Sequence, residues 1–238
     1  MIAFNSDLTF SEALIEATER LIDSGVETAS LDARVLLRAV ANLSAELLLS
    51  ERDKIIPKTL LKTFWTSISR RAKGEPIAYI VGSKEFWSLN FSVNRSTLIP
   101  RPESEVLVEA VIRHKKKENI YKPKILDLGS GSGCLLLSIL SDCPDAIGMG
   151  IDINFKACEV ARENARYNCL DHRSLFCVGD WAQPVDQLFD FVITNPPYIA
   201  EYEKDFISRD VIGFEPHSAL FAGPKGVECY FILSNQIK

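Results

Sequence analysis

KILDLGSGSGC, residues 124–134, is the stretch whose reading decides the fold. KILDLG reads as a strand, and the run that begins at its far end, CLLLSILSDC (134–143), reads as a helix. The glycines therefore stand where a strand hands over to a helix, the place where open α/β sheets bind ligands. Gly129, Gly131 and Gly133 permit a tight turn and let another molecule approach the backbone with no Cβ in the way. Working outward, the alternation continues: helix SEVLVEAVIRHKKK (104–117), strand IGMGIDI (147–153), helix FKACEVARENARYN (155–168), then strands SLFCVGD (174–180) and FDFVITN (189–195). Such alternation predicts an α/β fold with a parallel, doubly wound sheet.

The residues that close these strands point to a nucleoside cofactor. The loop does not complete the dinucleotide fingerprint, because the sixth position counted from Gly129 is Cys134 rather than glycine. Asp152 ends the second strand about 20 residues after the glycines, where a carboxylate commonly holds two ribose hydroxyls. Asp180 and Trp181 follow the third strand and offer an acceptor for an exocyclic amine beside a flat apolar face, which suits adenine. With no Walker lysine, S-adenosylmethionine fits this row better than ATP.

TNPPYI (194–199) ends the fourth strand, because proline cannot donate to a sheet ladder. Asn195 then lies next to the methionine end of such a cofactor. An amide nitrogen is a poor nucleophile, its lone pair being delocalised into the carbonyl. Hydrogen bonds from its two N–H groups to the Asn195 side-chain oxygen and the Pro196 carbonyl would hold it and aim the lone pair at a methyl group. Pro196 and Pro197 stiffen the loop, and Tyr198 supplies a flat wall against the planar group being methylated.

The 238 residues carry a formal net charge of −5 and a sequence pI near 5.4, which argues against a general DNA or RNA coat. Neither a leader nor a run of roughly 20 apolar residues is present, so a cytoplasmic protein without membrane partners is expected. The six cysteines form no CxxC pair and the three histidines are scattered, so no metal site is expected. Ahead of the sheet, Thr9 and Glu12 fit a capping box before Leu14, Ile15, Ala17 and Leu21. Leu31, Val35, Leu36 and Val40 recur at helical spacing, with Asp32 in the first turn, and a third helix starts at Pro57. These stripes predict a small bundle over residues 1–75. AYIVG (78–82) and FWSLNFSV (86–93) flank the turn-like GSKE and predict a β-hairpin within a linker, 76–100, ahead of a catalytic domain over 101–238.

The chain resembles the release factor glutamine methyltransferases, the PrmC or HemK type. The likeness runs in order through RRAKGEPIAYIVGSKEFWSLNF (70–91), LIPRPESE (98–105), ILDLGSGSGC, IDIN (151–154), GDW (179–181), TNPPYI and EPHSALFAGPKG (215–226). It implies a class I S-adenosylmethionine-dependent (Rossmann-like) sheet and methylation of the glutamine amide in the Gly-Gly-Gln loop of peptide chain release factors. The cofactor loop falls on Gly129, Ser130, Gly131, Ser132 and Gly133, the ribose acid on Asp152 and the adenine pair on Asp180 and Trp181. The substrate-amide clamp, with its catalytic members Asn195, Pro196 and Tyr198, covers Asn195 to Tyr198, and the N-terminal bundle helps grip the release factor. Ser104 stands where threonine is usual and keeps a hydroxyl near the cofactor pocket. Members of the family continue past the helix near Gly226, so the resemblance implies a sheet lacking its last strands, with FDFVIT as an apolar edge. Adenine methylation of DNA and a release-factor-binding remnant without activity are the competing readings.

Overall fold

Thr9 opens the first helix as its spacing to Glu12 predicts. Its Oγ1 accepts the Glu12 N–H at 3.2 Å while the Glu12 carboxylate takes the Thr9 N–H at 2.8 Å. The computed structural model describes residues 7–237 and divides into two units, Met1–Val81 and Gly82–Lys238.

The first unit is helical: α1 (Phe10–Asp23), α2 (Ala29–Ala41), α3 (Ala45–Ser50), α4 (Lys58–Arg71) and α5 (Ile77–Val81). Its core is built by Phe10, Ala13, Ala17 and Leu21 of α1, Ala33, Leu36 and Leu37 of α2, and Leu61, Phe64, Trp65 and Ile68 of α4. Two positions assigned to the stripes face outward instead, Ile15 and Leu31, both 59% exposed. Asp32 does more than meet a helix dipole. It is buried, accepts Arg71 Nε–H at 2.7 Å and takes the Thr28 hydroxyl at 2.9 Å, so α2 and α4 are joined by a shielded ion pair.

The hairpin is displaced from its expected place. AYIV is helical within α5, because Pro76 presets the first turn and its carbonyl accepts from Tyr79 and Ile80. Ile77 and Ile80, three residues apart, both pack on the helical core, which outweighs their β propensity. GSKE is not the turn: β1 (Ser83–Phe86) pairs antiparallel with β2 (Leu89–Ser92). The reversal falls on Trp87 and Ser88, at φ +52° and +59°, the pair of left-handed residues that a two-residue hairpin loop needs. Neither is glycine or asparagine, and side chains hold them there. Trp87 N–H donates to Glu105 at 3.0 Å and Ser88 N–H to Glu85 at 2.7 Å.

After the hairpin come α6 (Glu105–Lys117), β3 (Lys124–Leu128), α7 (Cys134–Asp142), β4 (Ile147–Asp152), α8 (Phe155–Tyr167), β5 (Ser174–Val178) and β6 (Phe191–Thr194). The four strands are parallel in the order β5-β4-β3-β6. The chain steps outward from β3 to β5 and then crosses back, so the winding reverses between β3 and β6, the usual ligand crevice of such a sheet. Ile125, Phe176 and Ile193 pack one face onto α6, α7 and α8. Leu126, Leu128 and Ile151 pack the other against Leu233 of a later helix and the segment holding Trp181 and Phe189. β6 is an edge among the described residues, with Val192 38% exposed. Beyond it, β7 (Ile199–Ala200) pairs with β8 (Phe221–Gly223), α9 (Arg209–Phe214) lies between them, and α10 (Glu228–Gln236), which carries Leu233, follows. No described helix is long and apolar enough to cross a membrane.

Candidate functional site

The strand register sets the site. Leu128 is paired with Ile151 on one side and Thr194 on the other, and Asp152 with Val178, so the four carboxyl ends lie along one rim. The Thr194 hydroxyl donates to the Leu128 carbonyl at 2.7 Å, tying the last residue of β6 to β3. A cavity of about 250 Å³ opens over this rim.

Its floor is the glycine loop. Gly129 and Ser130 N–H groups both donate to the Ile151 carbonyl, at 2.8 and 3.0 Å, and Gly131 N–H donates to the Asp152 carboxylate at 2.8 Å. At Gly131, φ is +54° and an added Cβ would meet nothing within 4 Å, so the bare backbone faces open space. Gly133 is different. A Cβ there would lie 2.9 Å from the Phe176 ring and 3.2 Å from Ala161, so this glycine serves close packing and lies outside the cavity lining.

Asp152, Asp180 and Trp181 all line the cavity. Burial pushes the Asp152 carboxyl above its ordinary range, opposed by hydrogen bonds from Asn154 and Gly131. Those bonds, both 2.8 Å, use one site on each oxygen and leave the others able to accept hydroxyls. Asp180 accepts Gln183 Nε2–H at 3.0 Å. The Trp181 ring stands 3.4 Å from where a Gly129 Cβ would be, and its backbone is left-handed at φ +51°, an arrangement that costs on the order of 1 kcal/mol.

Asn195 and Pro197 line the same cavity; Pro196 and Tyr198 do not. Asn195 Nδ2–H donates to Ser104 Oγ at 3.4 Å. Neither Asn195 Oδ1 nor the Pro196 carbonyl receives a hydrogen bond from the described residues. Pro196 is buried, whereas Tyr198 is 59% exposed.

Three features escape a reading by residue pattern. Asp127, in β3, is fully buried with no well-aligned hydrogen bond to either oxygen among the described residues; burial, then the Asp152 charge, raises its pKa to about 7, opposed by the Leu136 N–H. Arg101 donates to the buried Glu215 at 2.5 Å while the other Glu215 oxygen takes Ile99 N–H at 3.1 Å. That pair fastens LIPRPESE to EPHSALF, the two segments that wall the cavity with Leu98, Pro100 and Arg101 on one side and Pro216, Ser218 and Phe221 on the other. Asn164 of α8, fully buried, bonds Ser92 N–H, the Ser92 carbonyl and the Ser132 carbonyl, welding hairpin, helix and glycine loop. Only the recurrence of the two wall segments in the resemblance signals the second; nothing local in the sequence marks the others.

Two family profiles match the chain: "PrmC N-terminal domain" over residues 12–82 and "Methyltransferase small domain" over residues 102–213. A release factor glutamine methyltransferase of Rhodospirillum rubrum is 39% identical over 99% of this chain and 71% of its own length. One of Vibrio cholerae is 41% identical over 92% of this chain and 76% of its own. A bifunctional methyltransferase of Rickettsia conorii is 34% identical over 97% of this chain, which spans only 48% of that relative.

Proposed function

Because the chain belongs to the release factor glutamine methyltransferase family, whose methyl donor is S-adenosylmethionine, we propose that it methylates the side-chain amide nitrogen of the glutamine in the Gly-Gly-Gln loop of peptide chain release factors. The observation that carries this reading is the pair of unspent acceptors, Asn195 Oδ1 in the cavity lining and the Pro196 carbonyl next to it in sequence, with a bare glycine backbone on the floor of the same cavity. A primary amide has two N–H donors, and two acceptors in a rigid loop match it.

The residues present suit the donor. The open backbone at Gly131 would take its methionine part, the free acceptor sites of Asp152 its ribose, and Asp180 with Trp181 its adenine. S-adenosylmethionine supplies an electrophilic methyl group on a sulfonium. The rest is done by the chain. Asn195 and Pro196 hold both amide protons, draw electron density toward the nitrogen and aim its lone pair at the methyl carbon. Once methylated, the nitrogen held by Asn195 and Pro196 would shed one proton to restore a neutral amide. No strong base is needed before attack. The helical unit supplies the grip on the release factor, in keeping with its match to the family's N-terminal domain.

Incubation with labelled S-adenosylmethionine and either release factor or duplex DNA tests the reading. Label should enter the release factor and vanish when its loop glutamine is replaced by alanine. Label on DNA alone would overturn the proposal in favour of adenine methylation; label on neither would leave a binding protein.

A further inference from the structure

Ser104 stands at the start of α6, where a serine ordinarily turns its hydroxyl onto the free N–H groups of its own helix. It does not do so here. Its backbone is already helical, at φ −75° and ψ −11°, and its side chain makes no capping bond. Oγ lies instead in the cavity wall, accepting Asn195 Nδ2–H at 3.4 Å across 91 residues of chain. The backbone that carries the hydroxyl is held in place from behind. Ser104 N–H donates to the Arg101 carbonyl at 2.9 Å, and Arg101 is itself fixed by the buried Glu215.

A side-chain amide has a donor end and an acceptor end of nearly equal size, and a half-turn exchanges them. For Asn195 the exchange would matter, since Nδ2 facing an incoming amide would set donor against donor. With Nδ2 tied to Ser104, Oδ1 is left as the end without a partner among the described residues. We propose that Ser104 is a positioning residue for methyl transfer: its hydroxyl accepts Asn195 Nδ2–H and so supports the half-turn in which Oδ1 meets the substrate nitrogen. This rests on the role given to Asn195 above. It also gives a chemical reason for a hydroxyl at this place in LIPRPESE.

The test compares Ser104→Val with Ser104→Thr in the full chain, the first lacking the hydroxyl at similar volume and the second keeping it. One modest hydrogen bond corresponds to a fall in kcat of about three- to tenfold for Ser104→Val, with KM for release factor and Kd for S-adenosylmethionine within about twofold of the parent. Ser104→Thr should restore kcat. A second readout needs no turnover: the side-chain NH2 resonances of Asn195, identified by their loss in Asn195→Asp, should move in Ser104→Val and return in Ser104→Thr. Equal losses of kcat in both variants, or Asn195 resonances unmoved in Ser104→Val, would overturn the proposal. A parent protein that leaves release factor unlabelled would sink the substrate reading instead, while the Asn195 resonances still decide whether Ser104 sets the amide.

Discussion

Asp127 is the residue most at odds with its surroundings, a carboxyl sealed under α7 where the Leu136 N–H opposes the shift but forms no well-aligned hydrogen bond to it. Its pKa rises from 3.8 to about 7, so across that interval the folded state binds a proton that the unfolded chain releases. Stability should therefore fall as pH climbs from about 4 to about 7 and level off above. Asp127→Asn should flatten this slope and raise Tm near pH 8, as thermal denaturation at several pH values will show. At the cavity, Asn195→Ala should lower kcat on release factor by at least about 100-fold while leaving cofactor Kd little changed, measured by titration calorimetry alongside turnover. Asp152→Ala should do the reverse, weakening cofactor binding by on the order of 1–3 kcal/mol. It removes the acceptor that anchors Gly131 as well as the site offered to ribose. Asn195 and Asp152 are legible in sequence because each closes a strand next to a turn signal. Asp127 is not, since one polar residue inside an apolar strand looks the same whether it meets solvent or the underside of a helix.

Elements were legible where periodicity and turn chemistry agreed. β3 through β6 and α6 through α8 all fall where strand and helix spacing put them, because Gly, Pro and Asn punctuate that half of the chain. The segment 76–93 did not read true. AYIVG carries β-branched residues yet folds as α5, since Pro76 and the core contacts of Ile77 and Ile80 act together and composition does not report contacts. The turn at Trp87 and Ser88 lacks glycine, its left-handed backbone being held by Glu85 and Glu105, one of them 18 residues away. Spacing alone also made the three loop glycines look equivalent. Gly133→Ala should separate them: with Phe176 at 2.9 Å and φ +78°, it should cost about 1–3 kcal/mol of stability in chemical denaturation.

At the scale of the whole molecule, β6 is an edge of the sheet among the described residues, and a sheet edge is a template for pairing with another chain. Val192→Lys places a charge on that edge and should reduce self-association in light scattering at high protein concentration, with Tm little altered. The parallel register has a further consequence. Every cavity residue hung from the carboxyl ends is indexed through Leu128 to its neighbours, so a one-residue slip there would carry Asn195 about 3.3 Å from the glycine loop. The opposite rim bears no such load. A peptide epitope or reporter spliced into the exposed bend at 119–122, ahead of β3, could be accommodated by bulging into solvent, which makes that bend the natural handle for immobilising the protein with its cavity facing outward.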